Sequence, residues 1–377
     1  MKPALIIVSD TPSVKSNDGY ALFEPTLMEV EKIESLFSAV HWLTYERTSS
    51  DAGKLRLSCK DSIKVSPIPF SRGGQTWIAK LQILGSFIPQ FLFLRHKIAE
   101  ADFVHSRGPS VPALITILIS FFDTNRVFWH KYGGNWDEKG GPVAYRIQRW
   151  LLKRLHKPHV RITVNGRWPH LHDGIISLEN PCVDESVRQA SMELVRTKAF
   201  TDKLKLCFVG NLDENKGADR LLQTLMANPG RWPLARVTVV GGGALSDRLS
   251  SMAQNTPYPV ELTGPKSRAY VFEKVFRDHH VLILPSHSEG FPKVVAEACA
   301  YGCIPIVTRM SSLDQYIRHG ENGFLLDDGS PDSIRNGLDQ LFAKRAGLGE
   351  IAAKAWRMSA LFTYERFYKR VQEEIVR

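Results

Sequence analysis

Short apolar runs of strand length alternate along the whole chain with longer stretches of helical period. In the first half the strand candidates are 4–9, 40–44, 102–106, 126–130 and 160–165; in the second they are 204–210, 235–241, 260–264, 280–285, 303–307 and 323–326. Between them apolar residues recur at three- and four-residue spacing, as at Leu221, Leu222 and Leu225, a period that buries one face of a helix. Repeated strand–helix units predict parallel, doubly wound sheets. The chain therefore reads as α/β, with two Rossmann-like domains in tandem, 1–183 and 184–355, and a terminal helical segment 356–377. The boundary falls after Asn180-Pro181, which breaks regular structure ahead of a polar, helix-prone stretch. Residues 20–37 read as a helical window. Residues 49–76, polar, basic and punctuated by Pro67, Pro69, Gly73 and Gly74, read as a long excursion between strands.

At 377 residues, 43% hydrophobic and 23% charged, the chain can fill sizeable cores, which excludes wholesale disorder. Five cysteines, at 59, 182, 207, 299 and 303, show no C-x-x-C pairing. They fit neither a disulfide framework nor a zinc site, so a reducing, cytoplasmic setting is expected. The longest apolar run, 111–122, is well short of the ~20 residues that span a bilayer and predicts a buried helix. The first residues carry no signal-peptide signature. The net charge of +10 is concentrated in 51–200, where 22 Lys and Arg face 12 Asp and Glu. Such an excess suits a nucleic acid, an anionic lipid surface or a phosphorylated acceptor, and the sum alone does not separate them.

Ligands of doubly wound sheets bind beyond the carboxyl ends of the strands, so the residues after each strand carry extra weight. After 204–209 comes Gly210-Asn211-Leu212-Asp213-Glu214-Asn215-Lys216-Gly217, a glycine turn with a lysine at a helix start, a place suited to a phosphate. An ordinary surface lysine fits the same residues. Gly241-Gly242-Gly243 permits close backbone approach or a plain tight turn. Thr263-Gly264-Pro265-Lys266-Ser267 ends a strand and opens a helix; its backbone suits a base. The segment 284–297 holds Glu289 and Gly290 in a loop, Pro292 in the first turn of a helix, and Glu297 about five residues into it, roughly 7 Å along the axis. Two carboxylates so separated can accept from two sets of sugar hydroxyls, which suits a nucleotide sugar. The bland alternative is a capping carboxylate and a partly buried helical glutamate. Ala296, Ala298, Cys299, Ala300 and Gly302 imply close packing around Glu297, where an unpartnered carboxylate is costly.

Together, Phe208-Val209-Gly210-Asn211-Leu212 with Lys216-Gly217, Pro285-Ser286-x-x-Glu289-Gly290-Phe291-Pro292 with Glu297, 302–307 and 319–324 resemble the retaining GT-B glycosyltransferases of family 4 over 204–328. The resemblance implies a GT-B architecture, two Rossmann-like doubly wound domains facing across a cleft, with the terminal helix packing back on the first. It implies that Lys216, with Gly210 and Asn211, holds the donor diphosphate, and that Glu297 binds the ribose. Glu289, with Gly290, Phe291 and Pro292, holds the transferred sugar, and Gly241, Pro265 and Lys266 complete the donor site. The family has an arginine where this chain has Asn211, which weakens the expected diphosphate clamp; Arg309 is a stand-in candidate. In the first domain Gly19, after Asn17-Asp18, is a poor match to the family's glycine loop. His130 matches the histidine near the transferred sugar, with His105 competing and a satisfied strand-end histidine as the plain alternative.

The resemblance further implies transfer from a UDP- or GDP-type sugar, with no other cofactor, to a glycan or lipid-linked acceptor in polysaccharide or glycolipid assembly. No D-x-D motif follows any strand candidate, so metal-independent transfer is expected, with His130 and Glu289 at the reacting centre. The stretch 146–156 has Ile147, Trp150, Leu151 and Leu155 on one side and Arg149, Lys153 and Arg154 on the other. With the basic residues 54–64 it points to peripheral binding at an anionic, cytoplasmic membrane face, or to an ordinary solvated helix. Two other readings are a sugar-nucleotide epimerase of the same fold and a basic membrane- or nucleic-acid-binding protein with a vestigial donor site. No nucleic-acid motif accompanies the charge, so no nucleic-acid partner is expected.

Overall fold

A computed structural model describes residues 2–17, 19–47, 55–58, 60–69, 77–137, 140–168, 171–200 and 203–377. Asp18, Lys54, Cys59, Gly73 and Gly74 lie outside the described residues. The chain divides into two compact units, Met1–Glu179 with Phe367–Arg377, and Asn180–Arg366.

The first unit is built on strands β1 (Ala4–Ser16), β2 (Gly19–Phe23), β3 (Ala39–Glu46), β4 (Leu55–Leu57), β5 (Ile63–Pro67), β6 (Phe103–Gly108), β7 (Val127–Tyr132), β8 (Val160–Val164) and β9 (Ile175–Ser177). Seven of them form a parallel sheet in the order β5-β3-β1-β6-β7-β8-β9, while β2 and β4 run antiparallel beyond β1. Strands buried on both faces read as continuous apolar runs: Leu5 to Val8 are each at most 2% exposed. The helix Val111–Ser120 is the buried one expected at 111–122, begun by Pro112 and by a Ser110 side chain that accepts from the Ala113 N–H.

Three expectations change here. The window 20–37 opens as strand β2, because Ser13–Ser16 of β1 pair antiparallel with Gly19–Leu22; the helix Glu24–Ile33 starts only afterwards, with Pro25 in its first turn. The excursion 49–76 contains β4 and β5, whose short runs Leu55–Leu57 and Ile63–Pro67 are too brief and too polar to stand out by period. The terminal segment 356–377 splits: Phe367, Val371 and Ile375 join the core of the first unit against Leu27, Val30 and Trp42, whereas Trp356 and Phe362 belong to the second.

The second unit is a six-stranded parallel sheet: β10 (Leu204–Val209), β11 (Leu234–Val240), β12 (Val260–Gly264), β13 (Val281–Leu284), β14 (Ile304–Thr308) and β15 (Phe324–Leu326), in the order β12-β11-β10-β13-β14-β15. That order reverses direction between β10 and β13, the switch point where such sheets bind ligands. Helix Ala218–Ala227 follows β10 and lays Leu221, Leu222 and Leu225 into the core, all fully buried. Each such side chain contributes roughly 1.5–3 kcal/mol on leaving water. Cys182, Cys207, Cys299 and Cys303 are all buried free thiols.

Candidate functional site

In the second unit the loops after β10, β11, β12 and β13 meet at the carboxyl edge of the sheet. The loop after β10 stacks backbone to backbone on the one after β11: the Leu212 N–H donates to Gly242 O at 3.0 Å and the Leu245 N–H to Leu212 O at 3.0 Å. Gly241, at φ +151°, makes this possible, since a Cβ there would lie 1.8 Å from the Gly210 carbonyl oxygen. Gly217, at φ +79°, lies just before the helix Ala218–Ala227, and a Cβ on it would fall 2.8 Å from Pro285 O. Asn211 is exposed at the tip of the turn.

The loops carrying Lys216 and Glu289 are joined by two residues that motif reading passed over. Asn215 donates from its side-chain amide to Ser288 O and accepts from the Ser288 N–H, both at 2.9 Å. Arg220 donates to four carbonyls: Glu214 at 2.6 Å, Gly329 at 2.7 Å, Pro285 at 2.8 Å and Asn215 at 3.4 Å. Its position one helical turn past Lys216 was visible; the convergence of four carbonyls on it was not. So held, Lys216 Nζ pairs with Glu289 Oε1, both side chains one-fifth exposed or less. The Ser286 and Thr308 hydroxyls, at the ends of β13 and β14, are buried and take no partner among the described residues.

Glu297 stands in the helix Lys293–Cys299 between the fully buried Ala296 and Ala298. Its Oε1 lies 3.3 Å from Arg268 Nε. Pro292 is the residue just before this helix rather than in its first turn. Phe291 is turned inward, stacked on Phe362 with centroids 4.4 Å apart and edge-on to Tyr316, so its ring anchors the loop. Gly290 is half-buried beside it. Pro265 packs near Gly242, and Lys266 is exposed, its Nζ 5.3 Å from the Tyr270 ring centroid. Arg309 is exposed at the end of β14. This edge thus carries Gly210, Asn211 and Gly241 with the Lys216–Glu289 pair, and Pro265 with the Arg268–Glu297 pair, cations and carboxylates of kinds that can bind a diphosphate and sugar hydroxyls.

In the first unit neither histidine offers a ring nitrogen to a ligand. His130, on β7, has Nδ1 2.7 Å from Ser106 Oγ and Nε2 3.0 Å from Ser120 Oγ; burial pushes its pKa down to about 3, so it stays neutral. His105, on β6, stacks on Trp129 at 3.8 Å, with Nδ1 3.1 Å from Trp129 O and Nε2 3.4 Å from Arg107, and burial holds its pKa well below the usual value. Both correspond to the satisfied strand-end alternative. Gly19 lies in the β1–β2 hairpin with nothing near its Cα side. The charged feature of this unit is one the sequence did not single out: Glu29 Oε2 accepts from Lys131 Nζ at 2.7 Å and Arg107 at 2.8 Å, with Glu29 2% and Lys131 7% exposed.

The loops just described fall inside a recognisable domain. Residues 193–357 match the family model Glycosyl transferases group 1. The matched segment contains every residue of the second-unit site named above except Phe362. An uncharacterized glycosyltransferase of Haemophilus influenzae is 32% identical over 136 residues, 35% of this chain and 38% of that protein. A D-inositol 3-phosphate glycosyltransferase of Rhodococcus opacus is 31% identical over 166 residues, 42% and 37%. The chain thus spans under two fifths of the length of these curated relatives. The crystal structure of HepE from Anabaena in complex with UDP has a TM-score of 0.68 at 14% identity, covering 99% of each chain. That likeness is one of fold: the α/β, parallel-sheet class expected from the sequence is the class of this GT-B structure.

Proposed function

We propose that the protein is a retaining, metal-independent glycosyltransferase of family 4, taking its sugar from a UDP-type donor and passing it to a lipid-linked or glycan acceptor. The observation that carries this reading is the pairing of Lys216 with Glu289 at the switch point of the second sheet, on loops fixed by Asn215 and Arg220, with Glu297 on the helix that follows. UDP in the HepE structure supports the choice of base. Lys216 leaves Glu289 for the donor diphosphate and offsets the charge that grows on it as the sugar–phosphate bond breaks. Glu289, released, accepts from hydroxyls of the transferred sugar, and Glu297 from those of the ribose. The acceptor hydroxyl attacks on the face the diphosphate leaves, and its proton passes to the departing phosphate oxygen, so configuration is kept. Glu289 positions the sugar and forms no bond to it. His130 braces β7 and touches no substrate. The epimerase and vestigial-binder readings are not favoured, since the family match and the named relatives are glycosyltransferases.

Calorimetric titration with UDP, GDP, ADP and their sugars, with and without magnesium, tests this. UDP is expected to bind equally well without the metal, and Glu297→Ala to lose most of the affinity. No binding by any of the three nucleotides would sink the proposal.

The helix Val143–Leu152 supports a membrane-proximal acceptor. Its apolar residues do not all turn inward: Gln148, Arg149, Leu152 and Leu155 are buried, whereas Val143, Ile147 and Trp150 are 65%, 45% and 53% exposed at i, i+4 and i+7. Arg149 is taken inward by Tyr132 Oη at 2.9 Å, and Arg154 lies 4.2 Å over the Trp150 ring. The outward sector thus mixes Val143, Ile147 and Trp150 with Arg146, Lys153 and Arg154, and 139–172 contains no Asp or Glu. Apolar side chains framed by cations match an anionic bilayer surface, where each Lys or Arg contributes about 1 kcal/mol. Among the described residues no helix is long and apolar enough to cross a membrane. Co-sedimentation with phosphatidylcholine vesicles is expected only when phosphatidylglycerol is added, and Ile147→Asn with Trp150→Ser to weaken it about tenfold or more. Equal recovery on neutral and anionic vesicles would rule this surface out.

A further inference from the structure

We propose that Arg268 is a positioning residue for Glu297: a fixed guanidinium that holds this carboxylate aimed at the ribose diol of the donor. The proposal rests on the donor-site reading above. Motif reading had assigned Arg268 no role.

Three contacts hold the arginine, and only one involves Glu297. It stands in the first turn of the helix Arg268–Tyr270, which Ser267 caps by accepting from the Tyr270 N–H at 3.2 Å. Its guanidinium lies 4.2 Å from the Phe272 ring centroid, and one terminal nitrogen donates to the Cys182 carbonyl. The remaining Nε is directed at Glu297 Oε1, 3.3 Å away. Because Phe272 and Cys182 fix the planar fork independently, the geometry is imposed on the glutamate rather than shared with a mobile partner.

Glu297 needs such a partner. Its side chain is 16% exposed, with fully buried Ala296, Ala298, Cys299 and Ala300 around it in sequence, and a carboxylate in such surroundings tends to take up a proton unless a cation offsets the burial. A protonated carboxyl accepts from a hydroxyl more weakly than an anion does. Burial of Arg268 works against its charge, but Glu297, Tyr364 and Cys182 outweigh that and raise its pKa. Exposed ion pairs contribute little; this one, with the arginine 21% exposed, is partly withdrawn from water and its geometry therefore counts.

The test compares binding of UDP and 2′,3′-dideoxy-UDP by calorimetry for wild type, Arg268→Ala, Arg268→Lys and Glu297→Ala, with thermal melts showing that each variant is folded. Wild type is expected to prefer UDP about tenfold or more, as the loss of hydrogen bonds to a charged group would give. Arg268→Ala should bind UDP about tenfold more weakly, leave dideoxy-UDP binding unchanged and so lose the preference; Arg268→Lys should recover part of it. Arg268→Ala that keeps the preference, or binds UDP more tightly because the arginine competes with ribose for Glu297, overturns the proposal alone. Wild type binding both nucleotides alike overturns it together with the ribose role of Glu297.

Discussion

Lys216→Ala is expected to slow donor turnover about 10²–10³-fold, measured as UDP release from the UDP-sugar with acceptor present, the range found when one preorganised group facing developing charge is removed. The reasoning is electrostatic. Lys216 is the side-chain cation placed on the turn after β10, where Asn211 brings no charge. Lys216→Arg should retain part of the rate, since charge is kept but the loop must accommodate a wider group. Binding should weaken less than turnover, because the leaving diphosphate gains charge only as the bond breaks. Turnover of Lys216→Ala within a fewfold of wild type would mean that another group neutralises the diphosphate, and Arg309 would then be the first to replace.

Glu29→Ala is expected to destabilise the first unit by about 3 kcal/mol or more, the scale seen when one partner of a buried ion pair is removed. Lys131 and Arg107 both lean on the same Glu29 oxygen, and deleting it takes that carboxylate from two cations, one of them 7% exposed. At about 2–4 °C per kcal/mol for a body of this size, the melting transition should fall by about 6–12 °C. Breaking the exposed pair Arg335–Asp332 with Asp332→Ala should by contrast cost under about 1 kcal/mol. A loss at Glu29 as small as that at Asp332 would show that water reaches both cations.

Most strands were legible because buried parallel strands announce themselves as unbroken apolar runs; β10, β13 and β14 needed nothing more. The strands missed were of another kind. β2 begins with Gly19 and runs directly into the helix at Glu24 with no loop between them, so its apolar residues fell into the wrong period. β4, β5 and β9 are three to five residues long and take their stability from the edges they pair with, which no local pattern encodes. At the site, spacing singled out Lys216 and Glu289, which pair with each other, and Glu297, which pairs with Arg268. Those defined by convergence were not singled out: Arg220, Asn215, Arg268 and Glu29 each have at least one partner 29 to 109 positions away in the sequence. Phe291 shows the reverse case, a motif residue whose ring serves packing and leaves only its backbone at the loop surface.

The four carbonyls gathered by Arg220 bear on how this edge of the sheet breathes. They come from the turn before the helix Ala218–Ala227, from the end of β13 and from Gly329 ahead of the helix Pro331–Ala343. Three stretches far apart in sequence hang on one guanidinium. None can swing away without leaving a charged, partly buried group short of acceptors, which costs more than loosening a single loop. Opening is therefore a joint event of low frequency rather than three independent ones. Solvent exchange of the amides at 214–217, 286–289 and 329–330 is expected to follow one common rhythm.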